Sequence, residues 1–590
     1  MAAEPRDFNS AIQYEPDETP PYRIAIGLAL QYVVLTIAAI VITVAIVVRA
    51  AGGSEDYLSW GSFAVLIVSG VTTAVQAARI GRIGAGYVLL MGTSGAFIAA
   101  SVTALVEGGP ALLASLVIAS SLFQFGLSRH LALLRRIITP VVAGTVIMLI
   151  AVTIMPLLFD LLRQVPEGAS SLAAPVTAGA TVVATLLIVL RASGVMRLWG
   201  PVIGILVGCV AAVSFGIYDF ERVAAARWVG LPAAGWPGFG FSFGPAFWAL
   251  LPTFVFVTLI GAIETVGDAV AIQRVSWRRS RATDFGAVQG AVAADGLGNL
   301  LSGLLSTVPN TTYSSSISLA EITGVAARRV GVCIGLTFVV LAFLPKIAAV
   351  VLAIPDPVLA AYGFVLISIL FVIGARVVIQ DGIDYRKAAI VGVSFWAGVA
   401  FQEGALFNEY LSPGLAPLLE NGMTAGGLVA ILLTALLELT GSRPLRVETT
   451  LNVEALPTIR NFLDKFSIRR KWPMEMSDRL LQAAEETLLL LLEEAKEGED
   501  AEDRRLRVVA RKWENGAELE FISAGGAGNI EDQIAVLASH GTAEPQEHEI
   551  SLRILQHLAT SVRHQKYHDA DIVTVHIEGP ARGGGGGGGD

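Results

Sequence analysis

The chain has 590 residues, of which 54% are hydrophobic and only 15% are charged, and its net charge is −9. A soluble domain is about one quarter charged. This composition and the mean hydropathy of +0.65 therefore exclude an ordinary soluble protein and indicate a membrane protein. The negative charge argues against a nucleic-acid partner. The two cysteines, Cys209 and Cys333, lie in apolar runs and imply no disulfide framework.

Apolar segments follow one another along most of the chain. Residues 1–22 are polar and acidic and predict a disordered cytoplasmic lead without a cleavable signal. About fourteen segments suited to crossing a bilayer follow. They lie at residues 24–48, 58–78, 87–105, 111–127, 137–161, 176–190, 202–217, 247–272, 285–305, 313–323, 330–353, 358–378, 388–406 and 426–439. Basic residues cluster after the even-numbered segments, which predicts that those connections and both termini are cytoplasmic. The loop around Arg222 and Arg227 is an exception.

The third and tenth segments are interrupted by small and polar residues, as in GYVLLMGTSGAFIAAS and VPNTTYSSSISLAEITG. Non-helical backbone at membrane depth is tolerated only where it is buried in protein or lines a cavity. Two interrupted segments seven apart suggest a seven-plus-seven inverted repeat, with the binding site at the membrane midplane. For the third segment alone, close helix packing through small residues is an equally good explanation. We therefore predict an all-α polytopic membrane fold.

Three carboxylates lie in apolar segments: Glu264, Asp268 and Asp295. Such residues are costly in a membrane unless they are paired, hydrated or protonated, and they are therefore functional candidates. Glu264 and Asp268 are four residues apart and share one helix face. The alternative is a structural role, bonding to a neighbouring helix, but no Lys or Arg between residues 258 and 273 could neutralise them locally.

These features define a candidate binding site. Half-helices beginning near Gly95 and Ser316 would direct N–H groups and positive dipole ends into the cavity. Glu264 could accept two hydrogen bonds from a planar amide or imide edge, or bind a proton. Burial favours its neutral form. Asp268 would hold Glu264 in place or share its proton.

The chain resembles the nucleobase–ascorbate transporter family, the xanthine/uracil permeases, over roughly residues 14–445. The resemblance is carried by Gly86-Tyr87 with Met91-Gly-Thr-Ser94, by Glu264-Thr-Val-Gly-Asp268, by Ala294-Asp-Gly-Leu-Gly298, by Pro309-Asn-Thr-Thr-Tyr313 and by Ile322-Thr-Gly324. It implies a homodimeric transporter of the bacterial inner membrane, with a core domain that moves against a gate domain. It also implies short antiparallel strands in spans three and ten that meet at the substrate.

The resemblance assigns roles to the same carboxylates. Glu264 would match the family's substrate-binding carboxylate, Asp268 the polar position one turn later, and Asp295 the acidic residue of span nine. The expected substrate-binding set is Glu264, Asp268, Gly95, Ser94, Tyr313, Ser314, Ser315 and Ser316. The expected proton-coupling set is Glu264, Asp268 and Asp295. The expected partners are a small molecule, protons, lipid and a second copy of the chain, with no metal or cofactor.

The sequence departs from the family pattern at the walls of this site. Ser315, Ser316 and Ser318 stand where the pattern has an amide or carboxylate and further fixed residues. Gly95 replaces an aromatic residue that would stack on the base, and Tyr32 replaces a histidine. Because stacking is worth on the order of 1 kcal/mol or more in nucleic-acid sites, we expect an ordinary purine or uracil to bind weakly. The true substrate would be larger or differently substituted.

Composition changes near residue 445, so the expected domains are 23–445 in the membrane, a small cytoplasmic α/β domain at 446–581, and a flexible glycine tail at 582–590. We predict a helix from residue 476, a hairpin at Glu514-Asn-Gly516, a helix over residues 550–564 and a final strand. The domain resembles degenerate GHKL ATPase-like domains of anti-sigma kinases, with Leu490 and Ser523 in place of key polar residues. This predicts a regulatory domain that does not hydrolyse ATP. Its histidines, His548, His557, His564 and His568, are expected to be solvated rather than metal ligands.

The favoured function is a proton-coupled transporter of a nucleobase or related small heterocycle, which is not an enzyme. The main alternative is a membrane sensor that binds a ligand without transporting it and signals through the C-terminal domain, which could have a cytoplasmic partner. A protein driven by ATP is disfavoured because the chain contains no phosphate-binding loop of the Walker type. An anion exchanger is weaker still, because such a site would favour a basic residue over Glu264.

Overall fold

The computed structural model of the chain describes residues 12–131, 139–232, 235–238, 240–279, 281–379, 382, 384–404, 419, 421–440, 444–496, 504–513, 516–523, 530, 547–567 and 571–578. The chain divides into two compact units. The membrane unit comprises the described parts of Ala11–Ser276 and Ala287–Ala435. The C-terminal unit comprises the described parts of Trp277–Gly286 and Leu436–Asp590.

Helices make up most of the chain before residue 441. In chain order they are α1 (Tyr22–Ala50), α2 (Glu55–Ala78), α3 (Ile98–Arg129), α4 (Pro140–Leu161), α5 (Ala173–Arg191), α6 (Val195–Leu198), α7 (Gly200–Ser214), α8 (Phe220–Ala225), α9 (Pro245–Ser276), α10 (Phe285–Leu304), α11 (Ser315–Thr323), α12 (Arg328–Ala342), α13 (Pro345–Leu352), α14 (Asp356–Ile379), α15 (Tyr385–Gln402) and α16 (Gly422–Thr440).

Within the described residues, seven helices are long and apolar enough to cross a membrane. An eighth span results if α12 and α13, which are bent by 84° to one another, are counted together. Two more apolar helices, Gly200–Ser214 and Gly422–Leu437, are shorter. The chain is therefore a mostly helical, multi-pass membrane protein. The predicted number of fourteen spans stays a prediction.

Glycines allow the long helices to cross closely. A Cβ atom added at Gly70 on α2 would lie 2.6 Å from the carbonyl oxygen of Gly335 on α12. The same 2.6 Å separates a Cβ at Gly144 on α4 from the carbonyl oxygen of Gly374 on α14. In a bilayer, helix association depends on such close van der Waals packing because lipid is as apolar as the side chains. These two crossings bring α2 into close contact with α12 and α4 into close contact with α14.

Two short strands interrupt the helical chain where the sequence is small and polar. Strand β1 (Met91–Thr93) pairs antiparallel with β2 (Asn310–Thr312), and Gly92 lies opposite Thr311. The strands implied by the family resemblance are thus present. Each strand is followed by a helix: a 3₁₀ turn at Gly95–Phe97 continues into α3, and α11 follows β2.

The predicted spans at residues 87–105 and 111–127 are joined through a kink within α3. The backbone leaves helical geometry at Gly108 and Gly109, and Gly109 has a φ of 64°. Pro110 follows directly and cannot donate a backbone hydrogen bond, which favours a break at this point.

The described part of the N-terminal lead is bound to the membrane unit, in contrast to the disorder expected for residues 1–22. Tyr14 pairs with Val325, and the Ala326 N–H donates to the Tyr14 carbonyl at 2.8 Å. The Arg328 guanidinium lies 3.0 Å from Asp17 and donates to the Gly86 carbonyl at 2.7 Å. The lead is therefore held by backbone pairing and an ion pair. From the sequence alone, polar residues that make such contacts cannot be distinguished from polar residues that are solvated.

The C-terminal unit contains a five-stranded antiparallel sheet in the order β3-β4-β5-β7-β6. Its strands are β3 (Leu445–Thr450), β4 (Arg505–Trp513), β5 (Gly516–Ser523), β6 (Ser561–Lys566) and β7 (Asp571–Ile577). Its long helices are α17 (Ala455–Arg470), α18 (Met474–Lys496) and α19 (Glu547–Leu558). The predicted hairpin is confirmed, since Trp513 lies opposite Gly516.

Two expectations for this unit are wrong. The helix predicted over residues 550–564 ends at Leu558, and Ser561–Lys566 forms β6 because its backbone pairs with β7. His564 is not solvated: its side chain is fully buried, and the Ile530 N–H donates to Nδ1 at 3.0 Å. Burial, with the nearby charge of Lys566, lowers the pKa of His564 to about 3. His557 is exposed, and His568 lies outside the described residues.

Candidate functional site

The predicted site residues occupy four neighbouring elements of the membrane unit. Glu264 and Asp268 lie on α9, and Asp295 lies on α10. Ser94 and Gly95 follow β1 directly, and the run from Tyr313 to Ser316 follows β2. The strand pair brings the two interrupted segments together, and α9 packs beside β2 and α11.

Asp268 is bound by the last residue of β2 and by the segment that follows the strand. Its Oδ2 accepts a hydrogen bond from Thr312 Oγ1 at 2.8 Å, and its Oδ1 accepts one from Ser314 Oγ at 2.6 Å. The side chain is nearly buried, with 5% of its surface exposed. Asp268 therefore holds the interrupted segment against α9 through both of its oxygens.

Asp295 is bound by polar side chains from two other helices. Its Oδ2 accepts hydrogen bonds from Gln124 Nε2 at 2.7 Å and from Thr265 Oγ1 at 2.9 Å. It is 1% exposed, and its second oxygen, Oδ1, has no hydrogen-bond partner among the described residues. Asp295 thus connects α10 to α3 and α9 rather than facing open space.

Amide side chains extend this network to the backbone of β2. Asn299 Nδ2 lies 2.8 Å from Gln124 Oε1, and the backbone N–H of Asn310 donates to Asn299 Oδ1 at 2.7 Å. The sequence analysis missed Gln124, Asn299 and the two threonines, Thr265 and Thr312. The available signal was polar residues in apolar segments, but their partners are distant in the chain.

Glu264 differs from the other two carboxylates. Among the described residues, none forms a hydrogen bond or ion pair with its carboxylate. It is only partly buried, whereas Asp268 and Asp295 are buried. A carboxylate in this position needs a donor or a proton, because a bare charge away from bulk water is costly. Glu264 is therefore the carboxylate that remains available to a ligand.

The segment after β1 also has a hydrogen-bonding group without a protein partner among the described residues. Ser94 is 2% exposed, and its hydroxyl has no hydrogen-bond partner among the described residues. A Cβ atom added at Gly95 would meet no atom within 4 Å, so open space adjoins this residue. At Gly92, by contrast, an added Cβ would lie 2.5 Å from the Tyr313 ring.

Of the remaining predicted residues, some form hydrogen bonds within the protein and others are exposed. The Tyr313 hydroxyl lies 3.0 Å from Thr93 Oγ1, which ties the two segments together. Ser316 is fully buried: its hydroxyl accepts from the Leu90 N–H at 3.3 Å and donates to the Tyr313 carbonyl. Ser315 is exposed. The Ser316 hydroxyl thus holds the backbone, while burial does not constrain the Ser315 side chain.

The arrangement suits a small planar polar ligand. An available carboxylate at Glu264 can accept N–H donors, and the beginnings of two helices bring positive dipole ends to the strand pair. Open space adjoins Gly95, and the hydroxyl of the preceding residue, Ser94, is buried without a partner among the described residues.

Comparisons with known proteins show the family of the chain. Residues 23–404 match the permease family of xanthine/uracil type. Xanthine permease XanP of Escherichia coli (strain K12) is 28% identical over 448 residues, covering 72% of this chain and 94% of XanP. Xanthine permease XanQ of the same organism is 27% identical over 453 residues, covering 73% of this chain and 95% of XanQ.

Solved structures of membrane transporters are also similar in part. The transmembrane domain of the cyanobacterial bicarbonate transporter BicA has a TM-score of 0.45 at 16% identity and covers 72% of this chain and 100% of that chain. SLC26A9 has a TM-score of 0.48 at 12% identity and covers 73% of this chain and 68% of that chain. Both scores are too low to support an argument. Because the family match spans more than half of the sequence, the chain belongs to the nucleobase–ascorbate transporter family of xanthine/uracil permeases, a family of transporters rather than enzymes.

Proposed function

We propose that the protein is a proton-coupled symporter of a nucleobase, or a related small heterocycle, across the bacterial inner membrane. The observation that carries this proposal is the Glu264 carboxylate, which has no protein donor among the described residues, while Asp268 and Asp295 are bonded by the protein itself. The N–H edge of a planar heterocycle would supply the donors that Glu264 lacks. The xanthine permeases among its relatives support a substrate of this class.

The residues of the site have distinct roles in this proposal. Glu264 binds the substrate edge and takes up a proton, and Ser94 and Tyr313 add polar contacts near it. Ser315 and Ser316 lie at the beginning of α11, where the helix dipole favours partial negative charge on the ligand. Asp268, held by Ser314, and Asp295 take part in proton coupling. Burial supports these last roles, because a buried carboxylate is more stable when protonated.

The substrate would differ from an ordinary purine or uracil. Gly95 offers no stacking surface, and the open space beside it would accommodate a larger or differently substituted heterocycle. Low-micromolar binding of unsubstituted uracil or xanthine to the purified protein would contradict this part of the proposal.

The finer architecture follows the same proposal. We expect fourteen spans in two inverted repeats of seven, both termini in the cytoplasm, and a homodimer. Support comes from the paired strands in corresponding segments and from basic residues after even-numbered spans.

We further propose that residues 446–581 form a regulatory cytoplasmic domain that does not hydrolyse ATP and could bind a cytoplasmic partner. Leu490, which stands where a related ATPase would have a magnesium-binding asparagine, is fully buried in the apolar core of the C-terminal unit. This position therefore supports a role in packing rather than in nucleotide binding. The glycine loop near residue 525 lies outside the described residues.

Uptake by proteoliposomes tests the function. The full-length protein should accumulate radiolabelled xanthine, uracil or a substituted analogue when the lumen is made alkaline. Glu264→Gln should lower uptake by about tenfold or more, since a lost hydrogen bond to a charged group costs about that factor. Glu107→Gln, at an exposed glutamate, is the matched control and should transport normally. Equal uptake by both variants would contradict the role of Glu264.

A further inference from the structure

Asp268 and Asp295 are joined by an unbroken line of oxygen atoms. Asp268 Oδ2 lies 2.8 Å from Thr312 Oγ1, which lies 3.3 Å from Thr265 Oγ1, which lies 2.9 Å from Asp295 Oδ2. None of the four side chains is more than 5% exposed. Bulk water is therefore kept from this line, and its hydrogen bonds must be made from its own hydrogens.

The direction of bonding at the Asp295 end is determined by a backbone group. The Asn310 N–H can only donate, so the Asn299 oxygen faces it and the Asn299 amide nitrogen donates to Gln124 Oε1. Gln124 must then present its nitrogen to Asp295 Oδ2. This constraint assigns the oxygen and nitrogen atoms of both side-chain amides. Heavy-atom positions alone do not distinguish them.

The line has three gaps between oxygens, and its two threonine hydroxyls supply only two hydrogens. With both carboxylates ionised, Thr312 donates to Asp268 and Thr265 donates to Asp295. The gap between the two hydroxyls then contains no hydrogen, and it is the longest of the three at 3.3 Å. One additional proton, placed on either carboxylate, fills every gap.

We propose that Asp268 and Asp295 hold one proton between them and that the hydroxyls of Thr312 and Thr265 pass it from one to the other. This inference rests on the proposed symport. Asp268 gives its proton to Thr312, Thr312 gives its hydrogen to Thr265, and Thr265 gives its hydrogen to Asp295 Oδ2. Three O–H bonds break and three form, one proton is transferred in total, and no heavy atom has to move.

The relay links the proton to the substrate segment. Thr312 and Ser314, the two residues that donate to Asp268, belong to the interrupted segment that carries the start of α11. A change of charge on Asp268 therefore changes the bonding of that segment. The other ionisable groups nearby are Glu264, one turn away on α9, and the Tyr313 phenol, which is bonded to Thr93.

Valine substitutions with matched controls test the relay in the full-length protein. Thr265→Val and Thr312→Val remove the hydroxyls while keeping the shape. Thr258→Val on α9 and Thr311→Val on β2 are the controls, because both hydroxyls are buried without a partner among the described residues. Thr265→Ser restores the hydroxyl and should behave as the wild type.

In proteoliposomes, the probe is whichever of radiolabelled xanthine, uracil or a substituted analogue the wild type accumulates. Thr265→Val and Thr312→Val should lower its accumulation driven by a pH gradient by about tenfold, the cost of one lost hydrogen bond to a charged group. Exchange of the same probe at equal concentrations on both sides requires no net proton transfer and should be retained. Full gradient-driven accumulation by both variants would overturn the relay. A wild type that takes up no heterocycle would overturn the proposed function instead.

Infrared spectroscopy tests, independently of transport, whether Asp268 and Asp295 hold a proton between them. The wild type should show a carboxylic acid C=O band at neutral pH that disappears in Asp268→Asn. The band should change position in Thr265→Val and Thr312→Val, and stay unchanged in Thr258→Val and Thr311→Val. A band that is absent at neutral pH, or equally positioned in all four threonine variants, would overturn the proposal.

Discussion

The two interrupted segments pair with each other, yet they differ in how their polar groups are used. Thr312, the last residue of β2, and Ser314, just after it, both donate to Asp268. After β1, the buried Ser94 hydroxyl has no partner among the described residues, and Gly95 adjoins open space.

This difference distinguishes residues that stabilise the fold from residues that are available to bind a ligand. Buried polar groups are normally hydrogen-bonded, so a saturated cluster indicates a part of the fold that is fixed. A buried Ser94 hydroxyl next in the chain to Gly95, and the Glu264 carboxylate, both without a partner among the described residues, indicate hydrogen-bonding capacity that a ligand can use. We infer that Thr312 and Ser314 are the support, through their bonds to Asp268, and that the segment after β1, together with Glu264, receives the substrate.

The largest effect on stability is expected for Asp268→Ala. The substitution leaves the buried Thr312 hydroxyl without its acceptor, at about 1–3 kcal/mol, while the exposed Ser314 can bond to water instead. Thermal unfolding in detergent should show a clear loss of stability. Glu264→Ala, one turn away on the same helix, removes no hydrogen bond with a described residue and should unfold near the wild type. Equal losses in the two variants would remove the distinction between the carboxylates.

A smaller effect is expected from a methyl group at Gly92. The added Cβ would lie 2.5 Å from the Tyr313 ring, so the strand pair must shift, at a cost of about 1–3 kcal/mol. Gly95→Ala meets no atom within 4 Å and should leave the unfolding temperature unchanged. A comparable loss in Gly95→Ala would show that the space beside β1 is filled.

Serine substitutions compare the segments directly. Ser314→Ala removes a donor to a carboxylate and should cost about 1 kcal/mol or less, because Ser314 is exposed and water can replace its hydrogen bond. Ser94→Ala removes a hydroxyl without a protein partner and should not lower stability, but it should weaken ligand binding. Chemical denaturation and ligand titration of the same two variants separate these results. Loss of stability in Ser94→Ala, with binding retained, would reverse the assignment.

The smallest effect is a gain of affinity. Gly95→Phe would supply the stacking surface that the family pattern has at this position, worth about 1 kcal/mol or about fivefold in binding. Titration of xanthine against the purified variant measures this change. Weaker binding than in the wild type would mean that the space at Gly95 is occupied by the substrate itself.

The sequence was informative where a residue type is energetically costly in an apolar segment, because that cost can be recognised without knowing any contact. Glu264 and Asp268 were found because carboxylates in an apolar segment require an explanation, and the small, polar runs correctly marked the two interrupted segments. The roles of Gln124 and Asn299 could not be found in this way, because they depend on contacts between α3, α10 and β2.

Ser316 shows a second limit of sequence reasoning. It was grouped with Ser314 and Ser315 by composition, but only the structure shows that its hydroxyl bonds to the backbone of both interrupted segments, at Leu90 and at Tyr313. In the C-terminal unit, residues 561–566 continue a helical pattern in sequence, and pairing with β7 overrides it.

The central claim is that Glu264 is the carboxylate kept available for the substrate. Thermal-shift measurements on the purified protein, with nucleobases, ureides and related heterocycles as ligands, test it most directly when the wild type, Glu264→Gln and Glu107→Gln are compared. The account predicts a ligand that raises the unfolding temperature of the wild type and of Glu107→Gln but not of Glu264→Gln. An equal rise in all three proteins would contradict it.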